Sequence, residues 1–531
     1  MLKSVRLSGF RSIEESGWID LAPITVVLGK NSSGKSSFLR LFPLLKQSLN
    51  EETKEPILWY GRLVDFGSFS ETLSKFREVG ELSIGFRAEI ATNRRREVVY
   101  SSSGEQLRLY LPGARRLFIQ ENVIVDASLT FRKREGGESA YVSAIMVAVF
   151  DSEVRLEIDP SGNITRAVSC GVEVVLDRPY RIENLRRGFF PAIKSIAQDD
   201  SVDIEAMMNS DGPFFSLLLK NTDYLHHGNT SAKRRRDLAR RLRLASEESF
   251  INHVSKIYPS LSKYVAGEGD SGSMPAKCSE IFRYALLKFM PDLLAQFNVE
   301  LDRFAGSVRY LAPVRATASR YYRFQELAVD EIDPLGDNVP MFINSLSYNE
   351  RVALETWMTN SLGFKVQARR SEGHTALIVR EEGSESDRNL ADTGFGYSQV
   401  LPIVLQIWKS LQIKEKIQPN ETNRSSIIAI EQPELHLHPR FQALLADVFA
   451  DAIRHSDERG NVSFIIETHS EHIVNRLGAL VAKGLLREDQ VTVVLFDKES
   501  PTKPTIVRRS YFNKEGVLEG DWPFGFFLPE A

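Results

Sequence analysis

Eight residues near the start of the chain carry the spacing that phosphate chemistry needs. Gly29-Lys30-Asn31-Ser32-Ser33-Gly34-Lys35-Ser36 fits G-x-x-x-x-G-K-[ST], the phosphate-binding P-loop. An apolar, β-branched run over residues 24–28 precedes it, and residues 37–42 place apolar side chains at helical spacing after it. In a strand–turn–helix of this kind, backbone N–H groups at the helix start point at phosphate oxygens, and the helix dipole favours their charge. That assigns Asn31, Ser32, Ser33, Gly34 and Ser37 to cofactor binding with Lys35 and Ser36. Gly29 and Gly34 let the backbone pass with no side chain in the way. Lys35 is expected to reach the β- and γ-phosphates of ATP, and the Ser36 hydroxyl to ligate Mg²⁺.

A second apolar run, residues 427–430, ends in Glu431. A carboxylate emerging from a buried strand beside a P-loop is expected to hold Mg²⁺, directly or through water. Gln432 follows, where most such ATPases place a glutamate that activates the attacking water. An amide orients water but cannot take its proton, so hydrolysis is expected to be slow or conditional. Glu434, two residues on, is the available carboxylate. The third element, Ile465-Ile466-Glu467-Thr468-His469-Ser470, puts His469 just past another apolar run, where it can sense a γ-phosphate. His436 and His438 invite a zinc reading, but neither they nor His469 with His472 supply a third ligand.

The elements that must position these groups follow from periodicity. Residues 2–10 alternate as an opening strand, and short alternating runs between 82 and 176 read as antiparallel strands with polar turns. Helical spacing with long polar gaps follows over 182–304, including loops at 201–229 and 267–275. A strand is expected at 308–311, helices at 348–362, 400–411, 441–452 and 471–484, and strands at 364–368, 375–380, 463–466 and 491–496. This division gives parts at 1–80, 81–180, 181–304 and 305–531. At 531 residues the chain is too long for one ordinary core. Its net charge of −3 means that any nucleic-acid contact must come from a local patch, and Lys233-Arg234-Arg235-Arg236-Asp237-Leu238-Ala239-Arg240-Arg241-Leu242-Arg243 is the densest. That run is equally readable as a solvated helix face; a weaker aromatic-basic cluster surrounds Tyr321 and Tyr322. Cys170 and Cys278 lie far apart without C-x-x-C spacing, which fits a reducing, cytoplasmic setting. No apolar run reaches membrane-spanning length, and no signal peptide is recognised.

The order of these motifs resembles the ABC-type ATPase heads of the SMC and OLD-like superfamily. Glu-Gln-Pro-Glu-Leu-His-Leu-His-Pro (431–439) and Glu-Thr-His-Ser (467–470) are similar to a bacterial AAA-type ATPase group of antiphage defence, including the ATPase subunit of Septu and retron-linked Septu systems. The ending at 520–527 resembles that group too. The resemblance covers about 1–80 and 305–531. It implies an α/β fold: an ABC/SMC-like P-loop ATPase head with an antiparallel β subdomain and a helical insertion. It also implies that Arg11 contacts nucleotide phosphate, and that Asp392, Gly394, Gly396 and Ser398 form the signature loop. That loop would complete the ATP site of a second copy, making a homodimer with ATP sandwiched between heads. The sequence there is Gly-Tyr-Ser-Gln rather than Ser-Gly-Gly-Gln, and a simple helix cap by Asp392 or Ser398 is the plainer reading. OLD nucleases carry a Toprim domain after the head; too few residues follow His469 for one, so no intrinsic nuclease is expected. The implied partners are a separate nuclease subunit, of HNH type by resemblance, and a reverse transcriptase with its RNA or DNA. Two other readings compete: a DNA repair ATPase that clamps DNA ends, and a module that holds ATP only structurally. Long coiled coils would favour the repair ATPase, and no sustained heptad is present.

Restoring a carboxylate at the missing-base position tests the hydrolysis argument. Gln432→Glu is expected to raise steady-state ATP turnover, within the about 10²–10⁴-fold span of a general base, and Glu434→Gln to lower it. Turnover of Gln432→Glu no faster than the parent refutes the role given to position 432.

Overall fold

The computed structural model describes residues 2–53, 55–77, 79–91, 98–100, 107–109, 117–120, 122–185, 188–196, 211–264, 274–323, 329, 331–412, 426–457 and 462–520. Parts of the loops expected at 201–229 and 267–275, and nearly all of the family-like ending, lie outside the described residues. The chain divides into two compact units.

The first unit comprises residues 1–10, 48–60 and 66–302. Its antiparallel sheet runs, from one edge, Val172–Glu173, Ile164–Ser169, Ser152–Ile158, Ala140–Val149, Asn122–Lys133, Glu81–Ala91 and Leu2–Phe10. Alternation in the sequence becomes alternation in burial: along Asn122–Lys133 every second side chain from Val123 to Phe131 is buried. The run expected at 107–111 contributes a strand at Leu107–Leu109, and its last two residues lie outside the described set. Two features depart from the sequence reading. Tyr180–Glu183 and Ala192–Ser195 form an antiparallel hairpin where helical texture was expected, and Phe189 and Phe190 between them are buried against Phe86. Helix Met274–Ser307 starts inside the expected loop and continues through Pro291, the proline costing one backbone hydrogen bond.

The second unit comprises residues 11–47, 61–65 and 303–531. Seven strands form its sheet: β1 (Ile24–Gly29), β2 (Val308–Leu311), β3 (Ser426–Glu431), β4 (Val462–Glu467), β5 (Val491–Asp497), β6 (Ile506–Phe512) and β7 (Leu518–Glu519). Their order is β2-β3-β4-β1-β5-β6-β7, with the first five parallel and β6 and β7 antiparallel. Every residue of β1 and β3 is buried, as continuous apolar runs covered on both faces require.

Seven helices matter for the site: α1 (Lys35–Leu39), α2 (Leu41–Asn50), α3 (Val339–Ser345), α4 (Tyr348–Leu362), α5 (Phe395–Gln412), α6 (Pro439–Asp457) and α7 (Glu471–Ala482). Val26 and Leu28 of β1, Ile428 and Ile430 of β3, and Phe464 and Ile466 of β4 share one core with α3 to α7. Helix α1 lies against β1, β3 and β4, and its Phe38 ring sits 5.7 Å from Phe496 of β5. Helix α4 carries a Ser347/Glu350 capping box and ends on left-handed Gly363, after which Phe364–Ser371 pairs with His374–Glu381 as a hairpin. Helix α5 begins at Phe395 rather than Val400, because Gly396 and Tyr397 continue the helix instead of the loop before it.

The core should answer to volume. Ile466→Ala removes a fully buried side chain of β4 and is expected to cost about 2–5 kcal/mol, visible as a lower urea midpoint for the transition of the second unit. A change below about 0.5 kcal/mol would contradict this packing.

Candidate nucleotide and metal site

The parallel register sets the site. β3 pairs with β4 so that Glu431 faces Glu467, and β4 pairs with β1 so that Glu467 faces Val27, just before the P-loop. Two carboxylates therefore leave the sheet side by side at its carboxyl ends, the usual ligand crevice of a parallel sheet. The loop that faces them needs its glycines. Gly29 has φ 149°, and a Cβ there would stand 2.1 Å from the Phe496 carbonyl oxygen; Gly34 has φ 97°, and its Cβ would stand 2.5 Å from Ser12 Oγ.

Some of the expected residues meet at this crevice. Ser36 Oγ donates to Glu467 Oε1 at 2.8 Å. Glu467 is 2% exposed and its Oε2 has no hydrogen-bond partner. Burial, then the charge of Glu431, pushes this carboxyl up to about 7. Lys35 Nζ donates to the Lys30 carbonyl at 2.8 Å, and burial lowers its pKa against the pull of Glu467 and Glu434. Asn31 and Ser32 are exposed, Ser33 and Ser37 buried. Ser33 Oγ is buried without a partner, while its carbonyl accepts from Thr505 Oγ1 at 2.8 Å. Arg11 is half-buried with a left-handed φ of 51°.

Glu431 is held on both oxygens. Arg40 Nε and Nη2 donate to Oε1 and Oε2 at 2.7 and 2.8 Å, and the Tyr310 hydroxyl donates to Oε1 at 2.6 Å. The hydrogen bond to Glu431 raises the Arg40 pKa, and burial raises that of Tyr310. Arg315, 2% exposed, donates through Nη2 to the Glu431 carbonyl at 2.9 Å, and its Nε and Nη1 are buried without partners. Burial pulls it down to about 10. Gln399 of α5 grips its backbone: Arg315 N–H donates to Oε1 at 3.1 Å, and Nε2 donates to the Arg315 carbonyl at 3.0 Å.

The loop groups after β3 and β4 are tied to each other. Gln432, at φ 43°, donates its N–H to the Glu467 carbonyl at 2.8 Å. Glu434 is not an idle carboxylate: Thr468 Oγ1 donates to Oε2 at 2.7 Å and the His469 N–H to Oε1 at 2.8 Å. Burial raises its pKa. His469 is half-buried and pulled down to about 4, by burial and then by Lys35. Its ring is therefore neutral at pH 7, with one N–H to donate.

The Asp392–Ser398 segment is occupied differently. Asp392 pairs with Arg320 rather than capping a helix, and Ser398 Oγ donates back to the Phe395 carbonyl at 2.8 Å from inside the first turn of α5. Neither caps α5; Gly394, exposed, precedes it. A cavity of about 200 Å³ lies beside Gly394, Gly396, Tyr397, His436, Leu437 and Phe441. Among the described residues no three His, Cys, Asp or Glu side chains gather to hold a metal alone, and no helix is long and apolar enough to cross a membrane.

The oxygens at Ser36 suit Mg²⁺: a hydroxyl and carboxylate oxygens, one of them buried without a hydrogen-bond partner. Sequence reasoning overlooked Arg40, Tyr310, Arg315, Gln399 and Glu467. A signal for Glu467 existed, since it ends an apolar run as Glu431 does.

Comparison with known proteins bears on the same stretch. A family model described as an AAA ATPase domain matches residues 326–474, which include Asp392–Ser398, Glu431, Gln432, Glu434, Glu467 and His469. The endonuclease GajA of Bacillus cereus (strain HuB5-5) is 29% identical over 105 residues, 18% of this chain. The match spans only 15% of that relative's length. Among solved structures, the Pyrococcus furiosus Smc head domain with an extended coiled coil, bound to the C-terminal domain of ScpA, aligns over 96% of both chains at 11% identity and a TM-score of 0.32. The Thermotoga maritima SMC head domain aligns over 96% of this chain and 98% of its own at 10% identity and a TM-score of 0.32. Scores of this size carry no weight by themselves; the strand order and the P-loop describe the fold.

The raised Glu467 carboxyl has a sign that can be checked. Its protonated form is favoured on folding, so its contribution is full below about 4.5 and is lost as pH rises through about 7. In metal-free buffer Glu467→Gln is expected to flatten that loss, gaining up to roughly 3 kcal/mol over the parent at pH 8. Parallel stability–pH curves from urea titrations would contradict it.

Proposed function

We propose that the chain is an ABC-type ATPase that binds Mg-ATP on the 29–37 loop, hydrolyses it slowly or conditionally, and dimerises around it to gate a separate effector nuclease in antiphage defence. The observation that carries the nucleotide reading is the meeting of Ser36 with Glu467, whose second oxygen is buried and unsatisfied beside Lys35 and Glu431. A buried carboxylate oxygen without a protein partner is a position that a bound cation can fill.

The chain's own residues supply the rest. Lys35 moves from the Lys30 carbonyl to phosphate oxygens, where its charge is answered more fully. Mg²⁺ would neutralise phosphate charge there, held by Ser36 and one of the two strand-end carboxylates. Gln432 orients water without accepting its proton, and Glu434, already accepting two hydrogen bonds, braces the His469 loop. That engagement adds to the case for slow turnover. His469, its pKa lowered by burial and by Lys35 in the free chain, would offer a ring N–H to a γ-phosphate. In a dimer the exposed start of α5, at Gly394 and Phe395, would offer backbone N–H groups to the partner's nucleotide, the Ser398 hydroxyl being turned inward. The family-like motifs, and a short similarity to an endonuclease, support a nuclease-linked role. An HNH-type nuclease and a reverse transcriptase with its nucleic acid are the proposed partners, and the cytoplasm the proposed setting.

Lys35→Ala is expected to weaken ATP binding by at least about tenfold in calorimetry, in line with losing a charge-assisted contact. It is also expected to abolish ATP-dependent dimers in light scattering. Unchanged affinity would end the nucleotide reading, and a wild-type chain that stays monomeric with ATP would end the sandwich.

A further inference from the structure

Which carboxylate touches the metal is a separate question, and it builds on the nucleotide reading above. By position, Glu431 is the expected ligand: it ends the strand that precedes Gln432. The geometry around it points elsewhere. Both Glu431 oxygens accept from Arg40 in a bidentate pair, and Oε1 also accepts from Tyr310. Its own carbonyl is held by Arg315. Planar Arg–carboxylate pairs of this kind are strong and orientation-specific, and the carboxylate end of this one is buried, so Glu431 would lose its counter-charge if the pair broke. Arg40 stands one helical turn after Ser36, so the pair also fixes Glu431 to the end of the P-loop helix.

Glu467 has the opposite environment. One oxygen accepts from the Ser36 hydroxyl and the other has no hydrogen-bond partner, although the residue is 2% exposed. The register that aligns Glu467 with Glu431 on one side sets it against β1 on the other, so it is the carboxylate adjacent to the strand that feeds the loop. We infer that Glu467 is the carboxylate that ligates the divalent cation beside Ser36, and that Glu431, saturated by Arg40 and Tyr310, positions the P-loop helix without touching the metal. A cation held there would take oxygen ligands from Ser36 and Glu467, and the Ser36 hydroxyl would then cease to donate to Glu467 Oε1. No proton leaves Ser36 and no covalent bond changes.

Mn²⁺ provides a readout independent of turnover. Its binding to the full chain with a non-hydrolysable ATP analogue is followed by electron paramagnetic resonance, alongside analogue affinity in EDTA. Glu467→Gln is expected to weaken Mn²⁺ by at least about tenfold, as loss of a direct anionic oxygen ligand requires, with metal-free analogue affinity within about threefold of the parent. Glu431→Gln is expected to weaken Mn²⁺ less than about threefold. If that variant does not fold, Tyr310→Phe serves, since it loosens Glu431 without changing its charge, and it too should leave Mn²⁺ within that limit. The inference is overturned if Glu467→Gln binds Mn²⁺ as the parent does, or if Glu431→Gln or Tyr310→Phe loses as much as Glu467→Gln. Failure of the nucleotide reading shows differently: the parent itself would not bind the analogue in EDTA or with Mn²⁺.

Discussion

Two glutamates, Glu431 and Glu467, end neighbouring parallel strands in register, and burial leaves neither one solvated. Ionised carboxylates in such a place must be answered by cations or hydrogen-bond donors, or take up a proton. The fold answers them unequally. Arg40, Tyr310 and Arg315 converge on Glu431, one from the P-loop helix and two from the segment that includes and follows β2. Glu467 receives only the Ser36 hydroxyl. Lys35, Arg40 and Arg315 against Glu431, Glu434 and Glu467 give three formal charges of each sign, which cancel when all six are ionised. Burial works against that ionisation, raising the carboxyl of Glu467 and lowering the pKa values of Lys35 and Arg315.

The same cluster links loops that come from different strands. Glu434 ties the turn after β3 to Thr468 and His469 after β4, and the Gln432 N–H does the same through the Glu467 carbonyl. Gln399 carries the connection into α5 by gripping the Arg315 backbone. A shift of the Glu431 backbone would therefore be felt at the start of α5, where Phe395 is 62% exposed. The path is contiguous in hydrogen bonds, from the Glu431 carbonyl through Arg315 to Gln399.

Much of the second unit was legible because its signals are local. β-branched and apolar runs at β1, β3 and β4, the glycine pattern of the loop, and the capping box and terminal glycine of α4 each specify structure within a dozen residues. The start of α5 was hidden because glycines at 394 and 396 suggest a loop, yet Gly396 packs inside the helix near the His436 carbonyl. The hairpin of Tyr180–Glu183 with Ala192–Ser195 is only four residues a side, too short to show a period. Within the site, the Lys35, Ser36, Glu431 and His469 positions were visible from motif order. The Arg40–Glu431 pair was not, since its members are 391 positions apart and no local pattern couples them. Glu434 looked available because sequence shows a carboxylate and not the two donors that fill it.

Ser36 and Glu467 are 431 positions apart. At a synthesis rate of about 5–20 residues per second, the loop leaves the ribosome some tens of seconds before the carboxylate that meets it. Throughout that interval the strand carrying the loop lacks both β4 and β5, its neighbours in the finished sheet. The antiparallel sheet between, complete by residue 173, has every partner strand in hand long before. Birth order thus makes the crevice among the last parts of the molecule to assemble, since its loop waits for β4 and β5.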